Sequence, residues 1–319
     1  MVLARQPKWA LVGPGAIGLY YSALLIKSGA SLSILARSDL AEMRENGILL
    51  RLLQYSGEDA DTLVLNSEFN LMPKQVTADA NEIGFVDYVL IAAKSTVNQN
   101  IIGSLGPLVK EGHTALITLQ NGLGNAEFFA QYFPRNPVLS GLCFVCVNRT
   151  APSVVENYLT GRVEIGSLQD RWPECAAAVV DTFNTAGIRT KLAKSMSAAL
   201  WRKLCWNIPF NGLSIVCGGI TTDRILSDPP CRARAARLMQ EVRSVSTKAG
   251  YLISDNFIQS QFDVTQSMGA YKPSSLIDFL SGRSVEVEAI WGEPLRRGKA
   301  MGIDMFELQD LYQSLKKIV

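Results

Sequence analysis

Trp9-Ala10-Leu11-Val12-Gly13-Pro14-Gly15-Ala16-Ile17-Gly18 decides the fold of this chain. Four apolar residues suit a buried strand, and the glycines after them suit a sharp turn into a helix over residues 15–27. A second apolar run over 32–36 completes a βαβ unit of ordinary length. The pattern G-x-G-x-x-G is weak alone, yet here it stands between a strand and a helix. In that position the first glycine permits the tight turn, the second lets backbone approach a pyrophosphate, and the third lets helix pack closely on strand. Gly13, Pro14, Gly15, Ala16, Ile17 and Gly18 are therefore candidate dinucleotide contacts at a helix N-terminus whose partial positive charge faces the diphosphate. A glycine turn without a ligand is the alternative.

The same stretch excludes another class. Residues 9–26 carry no charge and follow Arg5 and Lys8, which a hydropathy scan could take for a signal peptide or anchor. Gly13, Pro14, Gly15 and Gly18 would break a spanning helix near its start, so neither a targeting segment nor a membrane span is expected.

Further along, apolar runs at 88–93 and 115–119 alternate with a helical pattern over 97–109, which predicts a parallel, doubly wound sheet. Residues 48–53 and 62–65 suit an added hairpin. Strands over 138–147 and 163–165, a helix over 175–184 and a closing strand over 188–192 follow. From about Lys194 the period turns helical: 195–216 interrupted by Pro209, then 230–249, 288–301 and 305–318. The expected fold is thus α/β, an N-terminal Rossmann-type doubly wound sheet over 1–193 and a C-terminal all-helical domain over 194–319. A length of 319 residues agrees with two domains at about 150 each.

The end of the second strand reports on the dinucleotide. A site for NAD usually has Asp or Glu there for the ribose 2′-OH, whereas this chain has Ala36-Arg37-Ser38. The Arg37 guanidinium suits a 2′-phosphate, which points to NADP(H). A solvated surface arginine is the alternative, and Asp39 leaves NAD open. Lys94 and Asn121 each follow a buried strand at its carboxyl edge, where α/β sheets bind ligands.

Bulk charge narrows the partners. With 31 Lys and Arg against 29 Asp and Glu, a net charge of +2 offers no field for nucleic acid. Six scattered cysteines in a chain of this size argue for reduced thiols in the cytosol. Cys143 and Cys146 form a CxxC inside a strand, where a spacing of three sends the thiols to opposite faces. With His113 as the single histidine, a zinc site or a Ser-His-Asp triad has little to draw on.

The segment Trp201-Arg202-Lys203-Leu204-Cys205-Trp206-Asn207-Ile208-Pro209-Phe210-Asn211 carries the chemistry of the second half. Positions i, i+4 and i+8 drift by about 40° per step, so Lys203, Asn207 and Asn211 form one polar stripe. A lysine desolvated among Trp201, Leu204 and Trp206 is a candidate proton donor of lowered pKa, the alternative being a snorkelling lysine on a half-exposed helix.

Together these residues resemble the ketopantoate reductase family, the 2-dehydropantoate 2-reductases, over nearly the whole chain. The resemblance rests on Gly13 to Gly18, Arg37, Ala92-Ala93-Lys94, Leu119-Gln120-Asn121-Gly122-Leu123-Gly124, Trp201-Arg202-Lys203 with Asn207 and Asn211, and Ser274-Ser275-Leu276-Ile277-Asp278 leading to Gly282-Arg283 and Glu286. It implies reduction of a small 2-oxo acid, 2-dehydropantoate, to D-pantoate by NADPH on the way to pantothenate in the cytoplasm. Lys203 matches the family's catalytic lysine and Glu286 its acidic residue, which can hold the substrate hydroxyl or orient the lysine. Asn121, Asn207, Asn211 and Ser274 match its substrate-binding positions. A paralogue acting on another 2-oxo acid and a non-catalytic NADP-sensing protein are the competing readings, and a homodimer is compatible with all three. The chain departs from the pattern at Pro209, expected to kink the helix between Asn207 and Asn211, at Gly212, where relatives more often have proline, and at Val97, where they often have glutamine.

Overall fold

The computed structural model describes residues 6–56 and 63–319. Thr62, the expected first residue of a strand, lies outside them. The chain divides into two compact units, Met1–Gln120 with Asn125–Met196, and Asn121–Gly124 with Ser197–Val319.

The first unit holds a ten-stranded sheet in the order β4-β3-β9-β8-β7-β6-β1-β2-β5, with β10 alongside β9. Its strands are β1 (Lys8–Val12), β2 (Ser31–Leu35), β3 (Ile48–Tyr55), β4 (Leu63–Leu71), β5 (Gln75–Thr77), β6 (Tyr88–Ile91), β7 (Ala115–Thr118), β8 (Val138–Ala151), β9 (Val154–Ser167) and β10 (Thr190–Leu192). From β5 through β8 every pairing is parallel, as a doubly wound sheet requires. Helices α1 (Ala16–Lys27), α2 (Leu40–Asn46), α3 (Ala80–Ile83), α4 (Asn98–Leu105), α5 (Asn125–Tyr132) and α6 (Pro173–Thr185) connect them.

Strand β1 shows why its apolar run is continuous rather than alternating. Trp9 and Leu11 join a core with α1 and α6, while Ala10 and Val12 join the opposite core with α4 and α5. Both faces are buried, so every position wants an apolar side chain. Strands β3, β4, β8 and β9 run well past the expected segments. Their added residues include Glu68, Arg149, Glu156 and Arg162 on partly solvated faces, which hides a strand from an apolar scan. The expected helix over 97–109 is three pieces, a 3₁₀ turn at Ser95–Val97, α4, and a second 3₁₀ turn at Gly106–Leu108 with Pro107 in it. Side-chain alternation along β8 carries through the register shifts with β9: Cys143, Val145 and Val147 pack against the same core as α1 and α6, and Cys146 falls on the alternate positions, as the spacing of three requires. None of the six cysteines forms a disulfide.

The second unit is helical: α7 (Met196–Val216), α8 (Thr222–Ser227), α9 (Pro229–Lys248), α10 (Asp255–Ser267), α11 (Ser274–Leu280), α12 (Glu293–Ala300) and α13 (Phe306–Ile318). Helix α7 continues through Pro209, which removes one backbone donor without ending the element. Residues Glu288–Gly292 ahead of α12 form a π-helical turn instead of the expected first α turn, and Pro294 lies in the first turn of α12. Among the described residues no helix is long and apolar enough to cross a membrane.

Candidate active site

In the first unit the glycine turn is shaped by packing on two sides and open on the third. Gly13 has φ +92°, and a Cβ there would lie 2.2 Å from the Ala93 nitrogen. At Gly18 an added Cβ would stand 2.6 Å from the Gly13 carbonyl oxygen. Gly15, by contrast, meets only the Ala92 carbonyl oxygen, at 4.0 Å. It is the N-cap of α1, whose first turn begins with Ala16 and Ile17, and no side chain caps it. Two glycines are thus demanded by neighbouring backbone, and the middle one keeps a helix N-terminus approachable.

Arg37 is exposed just past β2. Two residues later Asp39, in the left-handed conformation at φ 56°, occupies the N-cap position of α2 without a side-chain capping bond and forms an ion pair with Arg149 of β8. The same guanidinium donates to the Pro14 carbonyl oxygen at 3.2 Å. Its hydrogen bond is the main cause that holds the Asp39 carboxyl below the usual carboxylate range. Lys94 is half-buried after β6 and leads into the Ser95–Val97 turn. Behind it Gln120 Nε2 donates to the Ala93 carbonyl oxygen at 2.8 Å and to Asn98 Oδ1 at 2.7 Å, and Asn98 Nδ2 donates to Asn125 Oδ1 at 3.0 Å. These buried amides fix the strand end from which Lys94 projects.

In the second unit the polar stripe is real in outline but its members differ. Lys203 is half-buried, and its Nζ donates to Asn121 Oδ1 at 2.9 Å. The Asn121 loop is held by Gly122, at φ +89°, where a Cβ would lie 2.3 Å from the Ala289 carbonyl oxygen, and by Leu123, whose N–H donates to that oxygen at 2.9 Å. The π-helical turn therefore seats the loop that reaches Lys203. Asn207 and Asn211 are both buried. The Asn211 Oδ1 accepts the Ser275 N–H at 2.9 Å in the first turn of α11, next to Ser274, which is exposed. Of the flanking aromatics Trp201 is buried, while Trp206 turns its indole N–H to Thr265 Oγ1 at 2.8 Å.

Glu286 is buried, at 5% exposure. Glu288 is exposed and accepts from Tyr312 and Arg296 at 2.6 and 2.7 Å.

Three features escaped the sequence reading. Arg149 lies far from the glycine turn in the chain, its one signal being a charge near a strand end. Trp291 Nε1 donates to the Ile208 carbonyl oxygen at 2.9 Å beside Pro209, and Gly212 admits it, since a Cβ there would stand 2.9 Å from that nitrogen. The departure at Gly212 is thus a packing requirement. Finally, the Cys217 and Cys231 sulfurs lie 3.4 Å apart, with burial pushing the Cys231 thiol up to about 12. The single histidine pairs with Asp87 at 2.7 Å.

Comparison with known proteins agrees along the whole chain. The family described as "Ketopantoate reductase PanE/ApbA" matches residues 9–170, and its C-terminal counterpart matches residues 195–319. A 2-dehydropantoate 2-reductase of Nostoc sp. is 33% identical over 317 residues, covering 98% of this chain and 95% of the relative. The crystal structure of a 2-dehydropantoate 2-reductase from Geobacter metallireducens superposes with a TM-score of 0.89 at 33% identity, covering 98% of this chain and all of the other. One from Methylococcus capsulatus gives 0.85 at 30%, with 97% and 96% covered. The chain belongs to the ketopantoate reductase family of oxidoreductases.

Proposed function

We propose that this chain reduces 2-dehydropantoate to D-pantoate with NADPH, and that Lys203 is its general acid. The observation that carries the reading is the half-buried Lys203 ammonium held at 2.9 Å by the Asn121 amide oxygen. An amide carbonyl orients an ammonium without supplying a countercharge of its own.

The first unit fits a dinucleotide on its own terms: Gly15 leaves the α1 N-terminus open, and Arg37 stands exposed where a 2′-phosphate would be met. Gly13, Pro14, Gly15, Ala16, Ile17, Gly18, Arg37 and Lys94 would hold it, with Asn121 toward the nicotinamide end. When bound, NADPH supplies the hydride. Negative charge then develops on the substrate's carbonyl oxygen, and Lys203 stabilises that charge and delivers a proton to it. The Asn207 side chain, the Asn211 Nδ2 and the Ser274 hydroxyl offer neutral hydrogen bonds to the carboxylate and hydroxyl of a small polar acid. Glu286 holds the substrate hydroxyl or orients the lysine.

The test is NADPH consumption with 2-dehydropantoate beside a panel of other 2-oxo acids. Turnover of 2-dehydropantoate at the highest kcat/KM is expected. Turnover of another acid alone would select a paralogous reductase, a reading favoured by Pro209 on the helix that carries both asparagines. Absence of turnover with every acid, at measurable NADPH binding, would make the chain a sensor.

A further inference from the structure

We infer that Arg149 determines the choice of dinucleotide, by engaging Asp39 so that its carboxylate does not serve the ribose 2′ position. The inference rests on the reading of NADPH as cofactor.

Asp39 stands two residues after Arg37, beyond the end of β2, near the place where an acidic side chain selects NAD. Left to itself, such a carboxylate would accept from a 2′-OH and repel a 2′-phosphate. It is not left to itself. The Arg149 Nη2 pairs with Asp39 Oδ2, Nη1 donates to the Pro14 carbonyl oxygen at 3.2 Å, and Nε donates to the Ala151 carbonyl oxygen at 3.4 Å. One guanidinium thereby links the glycine turn to the N-cap of α2. The side chains of the pair are only 27% and 22% exposed, so solvent screens them less than a surface pair. With Asp39 compensated, Arg37 is left to set the sign of the local charge, and that sign favours a phosphate.

The test compares kcat/KM for NADPH and NADH in wild type, Arg149→Gln, Asp39→Asn and the double variant, with the 2-oxo acid that wild type turns over best. Arg149→Gln should lower the NADPH/NADH ratio by about tenfold, chiefly through KM for NADPH, as expected for an uncompensated charge beside a phosphate. Asp39→Asn in that background should return the ratio to within about threefold of wild type, because the repelling carboxylate is gone. A merely structural arginine gives a different pattern, equal losses for both dinucleotides and no rescue, and that pattern overturns the inference. If Arg149→Gln does not fold, Asp39→Asn alone decides: with its carboxylate already compensated, its loss should leave the ratio within about threefold of wild type, and a rise of about tenfold or more, the mark of a carboxylate still acting on the 2′ position, overturns the inference. Wild type using NADH at least as well as NADPH refutes the cofactor reading and this inference with it. A wild-type preference for NADPH that Arg149→Gln leaves unchanged refutes this inference alone.

Discussion

Two helix-interior glycines should respond to the same substitution with opposite signs. Gly212 lies inside α7 and Gly103 inside α4. Replacing an interior helix glycine by alanine ordinarily gains about 1 kcal/mol from the lost freedom of the unfolded chain. At Gly103 nothing lies within 4 Å of the new methyl, so Gly103→Ala should realise most of that gain. At Gly212 the methyl would stand 2.7 Å from Leu311 Cδ2 and 2.9 Å from Trp291 Nε1, closer than real Cβ contacts come. Overpacking of this kind costs about 1–3 kcal/mol. Displacing Trp291 from the Ile208 carbonyl removes a buried hydrogen bond worth about 1 kcal/mol more. The steric and hydrogen-bond losses exceed the propensity gain, so Gly212→Ala should destabilise by about 1–3 kcal/mol. For a domain of this size that corresponds to a Tm lower by about 2–12 °C, against a rise of about 2–4 °C for Gly103→Ala. Thermal unfolding followed by tryptophan fluorescence would read the first, since Trp201, Trp206 and Trp291 all lie in the second unit. Far-ultraviolet circular dichroism would read the second. A Gly212→Ala protein that melts at or above the wild-type temperature would refute the packing argument.

Other outcomes follow from the same geometry. Lys203→Ala should lower kcat by about 10²–10⁴-fold while the dissociation constant for NADPH stays within a few-fold, and near-wild-type turnover would remove Lys203 from its role. Arg37→Ala should raise KM for NADPH by about tenfold and hardly change that for NADH; equal changes would show that Arg37 does not meet the 2′-phosphate. Burial pushes the Cys205 thiol up to about 12, so at pH 8 the native protein should leave it unlabelled by a thiol reagent until denaturant is added. Because the fold favours the neutral thiol, the stability it contributes is present below the unfolded thiol's pKa and is lost as pH rises toward 12. Labelling of native Cys205 as fast as the half-buried cysteines would contradict its burial.

The parallel part of the sheet was legible because strands buried on both faces leave apolar runs, and because Gly13 and Gly18 are forced by backbone contacts on either side. The full lengths of β8 and β9 were not, since a strand with a solvated face carries residues such as Glu156 and Arg162 that read as loop. At the candidate site, Lys203 and Asn121 could each be named from local pattern, one from a helical stripe and one from a strand end. Their contact could not, because 82 residues separate them and nothing local encodes it. Asn211 illustrates a finer limit. Its place on the stripe was visible, yet its oxygen is engaged by Ser275 on another helix, which only tertiary packing decides. Arg149 is the extreme case, 110 residues from the carboxylate it holds.

The membership of Asn121–Gly124 in the helical unit has a consequence for how the chain is made. Synthesis proceeds from the amino end, and domains tend to fold as they emerge. Gly122 and Leu123 leave the ribosome long before Ala289, the residue that seats them, and Asn121 long before Lys203. The loop must therefore wait, unsupported, through the production of most of the remaining polypeptide. It also means that the gene has no cut point that frees the helical unit intact. A fragment beginning at Ser197 would contain Lys203 but lack the amide that holds it, and two half-genes could restore that contact only by being expressed together.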